Sequence, residues 1–447
     1  MKGSELAELS LAVLAHDPPW KPWGIKAGGI DGCGQEPYWA CIAGKLKEFY
    51  KGDDRVVRAL EEAVKLYREL EKRVESHELQ GALILRTLAA RLESRGFKEL
   101  AEATRRAEER ILDPRVREAD RLASAIDRVF LSRELSEAHP VFINPVNPYL
   151  VQPYREKLGV SLVARYVKEL VEHVLMLLGE SRRATIGDPM LLAHLVYSFL
   201  EPLWYKVISE SGLEPQKYVP PADTRIPTHT VFDHLNAALA ALLWTVGGGP
   251  SGCMAIVDLA GVQSWISEAR RLRDLWAASW IASMLAWKTI EGLVEEYGPG
   301  VLVQPPARLN AFYASWLLGR KLGSDPAGRN LKETLDMLGL RLGWPLDPTM
   351  PCRAHLALPK EECSGLEDRI KDYYERAWKL FAEKLCEWAS KVCSEIEETI
   401  EGGGEDSRVS KVCKRLDSLG LCNLDPPLPL RIVIVDVERA WREARSL

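Results

Sequence analysis

Several features of common protein classes are missing from this sequence. None of its nine cysteines forms a C-x-x-C pair, which excludes a zinc ribbon and a thioredoxin-like redox motif, so we expect buried thiols in a reducing compartment. The longest apolar stretches, Ala237–Val246 and Trp276–Trp287, are too short to cross a bilayer. Acidic residues near the N-terminus interrupt any signal-peptide core. We therefore expect a cytoplasmic protein without membrane contact.

A strong excess of either charge is also absent. The 59 Lys and Arg residues nearly balance 64 Asp and Glu, for a net charge of −5. Proteins that coat nucleic acid alone are usually more basic, so any nucleic-acid contact here should be local or shared with partner subunits. The 47% hydrophobic and 28% charged residues exclude wholesale disorder, and 447 residues predict two or three domains.

The hydrophobic spacing changes at a glycine-rich segment, 247–252. Before it, helical spacing dominates, interrupted by a proline- and glycine-rich loop at 16–39 and a proline-broken connector at 140–153. The predicted helices lie at the N-terminus and within 55–135, 160–211 and 228–246, where Thr228 is the expected N-cap.

After the glycines, the pattern predicts strands alternating with long helices. The expected strands are 254–258, 301–304, 353–359 and 431–436, and the expected helices are 262–297, 365–400 and 407–419. This β-α-β-β-α-β order is typical of a ferredoxin-like domain. We therefore predict an α+β protein: a helical domain at 1–246, a linker at 247–252, and a ferredoxin-like domain at 253–447 with a partly helical insertion at 306–350.

An adjacent His16-Asp17 pair ends the first helix, just before two prolines. One imidazole and one carboxylate on the same turn can face one cation, and a carboxylate can bridge two. Two divalent ions about 4 Å apart can activate water against a phosphodiester. His-Asp pairs are also common by chance, so the pair alone is a weak signal.

A second cluster, PADTRIPTHTVFDHL at 221–235, adds candidates. His229 and Asp233 are spaced i, i+4 on one helix face, and His234 is adjacent. Such donors suit transition metals, whereas carboxylate-rich sites favour Mg or Mn. The alternative is a capped helix whose polar groups bond one another. Asp120 is a further candidate, with pairing to a neighbouring arginine as its alternative.

The second half carries a basic helix and a misleading glycine run. Arg270 and Arg273, with Asp258 and Gln263 before them, are candidates to face nucleotide or RNA, although charge runs on helices are usually solvated. The run EGGGEDSRVS at 401–410 imitates the Gly-Gly-acid-acid hairpin of nucleotide cyclases. Its flanks are polar and helical rather than apolar strands, so we interpret it as a boundary between helices.

Four ordered stretches resemble the large signature subunit of type III CRISPR effector complexes, Cmr branch. They are LAHDPPWKPW, READRLASAIDR, PADTRIPTHTVFDHL and GVQSWISEARRLRDLWAASWIASMLAW. The resemblance is strong over about residues 8–300. It implies a circularly permuted HD nuclease domain followed by a first palm-like domain, and an antiviral, RNA-guided role in the cytoplasm.

The family also implies specific roles. Its HD domain cuts single-stranded DNA with a divalent metal (Mn, Ni, Co or Mg) when the complex holds target RNA. His16 and Asp17 match the HD dipeptide and become the expected catalytic residues. The expected metal ligands are His16, Asp17, Asp120, His229, Asp233 and His234.

The chain departs from the family pattern after the first palm. A four-cysteine zinc element, a second palm with a Gly-Gly-Asp-Asp hairpin and a C-terminal helical domain are missing, and Asn144 stands where relatives often carry His. We therefore expect the N-terminal half of such a subunit, unable to make cyclic oligoadenylate alone.

Its expected partners are the other subunits, guide and target RNA, single-stranded DNA and a separate chain carrying the missing parts, with ATP as a further ligand of the palm. An inactive scaffold that docks these partners is the alternative. A free phosphohydrolase of small nucleotides would not need the palm-like half.

Overall fold

A computed structural model describes residues 3–25, 29–128, 141–143, 151–153, 157–180, 187–222, 229–308, 310–322, 348–399 and 425–445. The fold is mostly helical α+β, which confirms the coarse fold class. We call residues 3–245 the helical half and residues 253–445 the sheet half. Among the described helices, none is both long and apolar enough to cross a membrane.

The helical half consists of helices packed around the first one. Their bounds are α1 Gly3–His16, α2 Lys21–Ile25, α3 Tyr38–Phe49, α4 Asp54–Leu70, α5 Ser76–Ser94, α6 Lys98–Glu109, α7 Pro114–Arg128, α8 Val160–Glu180, α9 Pro189–Glu210 and α10 Val231–Thr245. Helix α1 is buried on all sides from Leu6 to His16, because α5, α6, α9 and α10 pack around it. A helix that is apolar all round belongs in a core, which places the end of α1 inside the protein.

Short strands occur within this half. The two pairs are β1 Ile30–Asp31 with β4 Leu158–Gly159, parallel, and β2 Val141–Ile143 with β3 Val151–Pro153, antiparallel. The predicted loop at 16–39 was therefore wrong in part, since α2, β1 and the start of α3 lie within it. The connector at 140–153 likewise contains a strand pair.

The predicted cap of α10 was also wrong. Thr230, rather than Thr228, is the N-cap, and its hydroxyl accepts a hydrogen bond from the Asp233 backbone N–H. The Asp233 carboxylate in turn accepts a hydrogen bond from the backbone N–H of Thr230 at 3.0 Å. This reciprocal capping box satisfies two backbone N–H groups at the start of the helix, and it moves the helix start to residue 231.

The sheet half contains the four predicted strands. They are β5 Cys253–Leu259, β6 Leu302–Gln304, β7 Arg353–Leu358 and β8 Leu430–Asp436, in the spatial order β6-β7-β5-β8 with every neighbouring pair antiparallel. Along β5, buried and half-buried residues alternate, so one face packs on the core and the other is more open.

The helices of the sheet half are α11 Val262–Ser267, α12 Leu272–Tyr297, α13 Ala311–Ser315, α14 Leu366–Thr399 and α15 Val437–Arg445. The single helix predicted over 262–297 was wrong, because α11 ends before the exposed arginines and α12 starts after Arg271. The predicted helix 365–400 is confirmed as α14. The predicted helix 407–419 and the glycine run at 401–410 lie outside the described residues.

The cysteines are not all thiols, which corrects the sequence-based expectation. Cys33 is bonded to Cys41 and Cys253 to Cys363. Sequence spacing could not reveal the second bond, because it joins residues 110 positions apart and depends on how β5 meets the loop before α14.

Candidate metal centre

Four helices bring imidazoles and carboxylates to one place. Asp17 follows directly on His16 at the end of α1, and His77 lies in the first turn of α5. Asp120 projects from α7 and His234 from the first turn of α10. We define these five side chains, His16, Asp17, His77, Asp120 and His234, as the candidate metal centre.

Asp17 lies at the middle of the centre. Its Oδ1 is 3.2 Å from His16 Nδ1 and 3.5 Å from His77 Nε2. Its Oδ2 is 3.5 Å from His234 Nε2, and that nitrogen lies 2.8 Å from Asp120 Oδ1. Two sets of donor atoms result, each within 4.8 Å: His16, Asp17 and His77, and Asp17, Asp120 and His234. The two sets share Asp17.

Lys21 already provides one cation to this cluster. Its ammonium donates to both oxygens of Asp17 at 2.7 Å. Both side chains are largely buried, and a buried charge is stable only with a partner. The ammonium therefore neutralises Asp17 when no metal is bound.

The charges of the centre follow from this crowding. Burial raises the pKa of Asp17, but Lys21 and His16 outweigh it and hold that pKa well below the usual range. Burial lowers the pKa of His16, but the adjacent carboxylates of Asp17 and Glu78 raise it to about 10. Burial and the nearby Lys21 lower the pKa of His77, which favours its neutral, ligand-competent form.

The donors fit a divalent metal. His16 Nε2 is buried without a hydrogen-bond partner, although Glu78 Oε1 lies 3.3 Å away. Imidazole nitrogens with carboxylate oxygens are ligands that Mn, Fe, Co, Ni and Zn accept. A carboxylate shared by two donor sets also suits a pair of ions.

The sequence analysis named most of these residues but missed one. His16, Asp17, Asp120 and His234 lie together as expected, despite the long separations between them. His77 was missed because its helix begins with charged residues. The signal that could have found it is the largely apolar run from Leu79 to Leu85 shortly after it, which indicates a helix buried on all sides.

Two predicted ligands lie elsewhere in the local network. Asp233 Oδ2 accepts hydrogen bonds from the backbone N–H and the hydroxyl of Thr230, and Oδ1 pairs with Arg308. His229 is half-buried, and its backbone carbonyl accepts a hydrogen bond from the Ala222 N–H at 3.0 Å. Within the described residues, neither belongs to the two donor sets. Their role as ligands stays a prediction.

The predicted nucleotide- or RNA-facing residues all belong to the sheet half. Asp258, near the end of β5, accepts a bond from Arg353 Nε at 3.1 Å. Gln263, Arg270 and Arg273 are exposed on and beside α11 and α12. Their role in binding stays a prediction. Asn144, named in the family comparison, lies outside the described residues.

Sequence comparison finds the same relatives that the motifs indicated. The family described as "CRISPR-associated protein Cmr2, N-terminal" matches residues 254–383. The Cmr2 subunit of Saccharolobus solfataricus is 29% identical over 352 residues, covering 72% of this chain and 31% of that protein. Cmr2 of Pyrococcus furiosus is 25% identical over 260 residues, covering 48% of this chain and 29% of that protein. The chain thus spans less than a third of either relative.

Solved structures show the same likeness in the fold. A type III-B Cmr-beta complex in its apo state contains a chain that covers 96% of this one with a TM-score of 0.60 and 24% identity, over 37% of its own length. A Cmr-beta complex bound to cognate target RNA contains a chain that covers 73% of this one with a TM-score of 0.52 and 28% identity, over 33% of its own length.

Sequence and fold therefore agree on the class of protein that this chain resembles: the large subunit of type III CRISPR effector complexes. Within that class the chain is Cmr2-like, and the resemblance drawn from the four motifs is confirmed.

Proposed function

We propose that the candidate metal centre is an HD-type nuclease site that hydrolyses phosphodiesters of single-stranded DNA within a type III effector complex. The observation that carries this proposal is Asp17, whose two oxygens contact imidazoles of both donor sets. A bridging carboxylate with histidines on both sides is the arrangement expected of a paired-metal phosphodiesterase. The HD match of His16 and Asp17 supports the same reading.

The residues of the chain have distinct tasks in this proposal. His16 and His77 would hold one divalent ion with Asp17, and Asp120 and His234 would hold the other. When bound, the ions supply a water of lowered pKa and neutralise charge on the phosphate. Glu78 stays beside His16 and orients its ring, while Arg117 holds Glu78 from outside at 3.1 Å.

We also propose the domain arrangement predicted from the sequence. Residues 1–246 would be the permuted HD domain, 247–252 a linker, and 253–447 a ferredoxin-like palm with the insertion 306–350. The antiparallel order β6-β7-β5-β8 supports the palm, because a β-α-β-β-α-β chain forms such a sheet with its first and third strands in the centre.

The proposed partners follow from the relatives. One of them is part of a complex bound to cognate target RNA. By analogy we propose that this chain docks other type III subunits, guide RNA and target RNA. The open sheet face and the exposed Arg270 and Arg273 are the proposed nucleotide- or RNA-facing region. Cyclic oligoadenylate synthesis would require a further chain carrying the second palm.

Lys21 favours a second candidate function, an inactive scaffold. Its ammonium already satisfies both oxygens of Asp17, so the cluster can also be read as a self-neutralised core network. In that case the chain would contribute docking surfaces only.

Metal-dependent cleavage separates the two functions. Labelled single-stranded DNA is incubated with the chain, alone and assembled with its partner subunits and target RNA, in Mn²⁺, Ni²⁺, Co²⁺ or Mg²⁺. We expect cleavage that is lost in His16→Ala and kept in His355→Ala, a matched change in β7 of the sheet half. If the wild-type assembly cleaves the DNA with none of the four metals, the scaffold function is favoured.

A further inference from the structure

A buried arginine of the sheet half reaches into the helical half beside the candidate metal centre. Arg308 follows β6, and its guanidinium pairs with Glu201 of α9 and with Asp233 of α10. The side chain of Arg308 is 11% exposed and that of Glu201 14%. Its two terminal nitrogens contact different carboxylates, Nη1 that of Glu201 and Nη2 that of Asp233, so the guanidinium links α9 to α10.

The backbone around Arg308 is fixed to the same two helices. Its N–H donates to the Tyr197 hydroxyl at 3.0 Å, and that hydroxyl donates to Asn236 Oδ1 at 2.6 Å. The amide of Asn236 donates in turn to the carbonyl of Leu302 at 3.4 Å. Residues 302–308 therefore hold α10 at two points, Asp233 and Asn236.

His234 lies between these two points in the chain. Its Nε2 contacts the candidate metal centre rather than residues 302–308: it lies 2.8 Å from Asp120 Oδ1 and 3.5 Å from Asp17 Oδ2. Because the first turn of a helix moves as a unit, a shift of Asp233 or Asn236 must also shift the imidazole of His234. The geometry of the second donor set thus depends on contacts that the sheet half supplies.

Capping and anchoring use different atoms of Asp233. The N-terminal hydrogen bonds of the helix use Oδ2, while the pair with Arg308 uses Oδ1. Removal of the Arg308 side chain would therefore leave the capping box intact and release its ion pairs with Asp233 and Glu201.

We propose that Arg308 is a positioning residue of the candidate metal centre, which sets His234 against Asp17 and Asp120 and transmits the placement of the sheet half to the centre. This inference rests on the proposed function only in requiring that the centre bind a divalent ion. Groups that orient metal ligands from outside typically change metal affinity 10–100-fold when removed.

Cobalt binding to the full chain tests the inference without any cleavage assay. Co²⁺ is titrated into the metal-free protein, and affinity and the visible absorption bands of the ion are recorded. We expect Arg308→Ala to weaken binding about 10–100-fold and to change the band pattern, because His234 is no longer held in place. Arg308→Lys, which keeps the charge, should recover part of both properties.

Arg353→Ala is the matched control, since Arg353 is an exposed arginine of β7 that pairs with Asp258 of the neighbouring strand β5, away from the helical half. It should leave affinity and spectrum unchanged. If Arg308→Ala does not fold, Tyr197→Phe carries the test, because it removes the hydroxyl that bonds both Arg308 and Asn236 and should alter the spectrum.

The possible failures are distinguishable. Co²⁺ binding at the centre is identified by its loss in Asp120→Ala. If the wild-type chain shows no Co²⁺ binding of this Asp120-dependent kind, this inference and the proposed function are overturned together. Asp120-dependent binding with the same affinity and spectrum in folded Arg308→Ala, or in Tyr197→Phe where that variant carries the test, would overturn this inference alone. Metal binding without DNA cleavage would overturn the nuclease and leave the positioning role standing.

Discussion

Asp17 concentrates the electrostatics of the candidate metal centre in one carboxylate. Its side chain is 2% exposed, yet it contacts an ammonium and three imidazoles. A carboxylate this deeply buried must have compensating charge. Lys21 and the proposed metal ions are therefore alternative partners for the same oxygens, and the balance between them determines how readily the centre takes up metal.

Substitution of Lys21 tests this competition. We expect Lys21→Met to tighten Co²⁺ binding about tenfold, because the ammonium no longer repels the ion or holds the Asp17 oxygens. Without metal the variant should lose about 3 kcal/mol of unfolding free energy, since a buried charge is left unpaired. Titration calorimetry with Co²⁺ measures the change in affinity, and urea unfolding of the metal-free protein measures the change in unfolding free energy.

Lys45→Met is the control for the loss of a lysine. Lys45 pairs with Glu48 at 2.8 Å on the surface, so its removal should cost less than about 1 kcal/mol and leave metal affinity unchanged. Weaker Co²⁺ binding in Lys21→Met would show instead that Lys21 orients Asp17 for the metal.

At the scale of elements, the close crossing of α1 and α5 builds the first donor set. A side chain on Gly81 would place its Cβ 1.7 Å from the carbonyl oxygen of Ala15, so only glycine allows this contact. The crossing sets the first turn of α5, with His77 and Glu78, beside His16 and Asp17.

Gly81→Ala should force the two helices apart. We expect a loss of about 1–3 kcal/mol in unfolding free energy, the usual cost of overpacking a core, together with weaker Co²⁺ binding as His77 moves away from Asp17. Urea unfolding and cobalt titration give both numbers.

Gly44→Ala in α3 is the matched comparison. A Cβ at Gly44 meets nothing within 4 Å, so alanine should stabilise the helix by up to about 1 kcal/mol and leave the centre unchanged. Equal effects of the two substitutions would contradict the role given to the α1–α5 crossing.

At the scale of the whole molecule, the two halves share one hydrophobic core. Buried residues of the helices and of the sheet form a continuous cluster, and the backbone of Leu239 in α10 closely approaches Gly300 just before β6. The Cys253–Cys363 bond closes a loop across the sheet half. This apolar contact adds to the ion pairs of Arg308 with Glu201 and Asp233, which makes independent motion of the halves costly.

The Cys33–Cys41 and Cys253–Cys363 disulfides should contribute unequally to stability. Closure entropy grows as 1.5 RT ln n, so a bond across 110 residues should stabilise the fold about 2 kcal/mol more than one across 8. Urea unfolding of Cys253→Ala/Cys363→Ala, set against Cys33→Ala/Cys41→Ala, measures the difference. Equal losses would mean that local packing, rather than loop closure, determines what each bond contributes.

The local sequence pattern was sufficient to predict much of the secondary structure and the resemblance to Cmr2. The strands near 254–258 and 353–358, the helix from Leu366 and the position of His16 at a helix end all follow from hydrophobic periodicity. Periodicity is a property of neighbouring residues, so it is visible in the sequence. The same pattern overlooked the helix break before Leu272, where no proline or glycine marks the end of α11.

The four motifs indicated His16, Asp17, Asp120 and His234 in advance, but only the tertiary structure decided which other polar side chains meet. His77 joined the centre because α5 crosses α1 at Gly81, and Asp233 turned to Arg308, 75 residues away. Contacts of this kind depend on the packing of whole helices, which a local pattern does not contain. The sequence by itself thus determined the elements and the kinship with Cmr2, whereas packing determined the composition of the candidate metal centre.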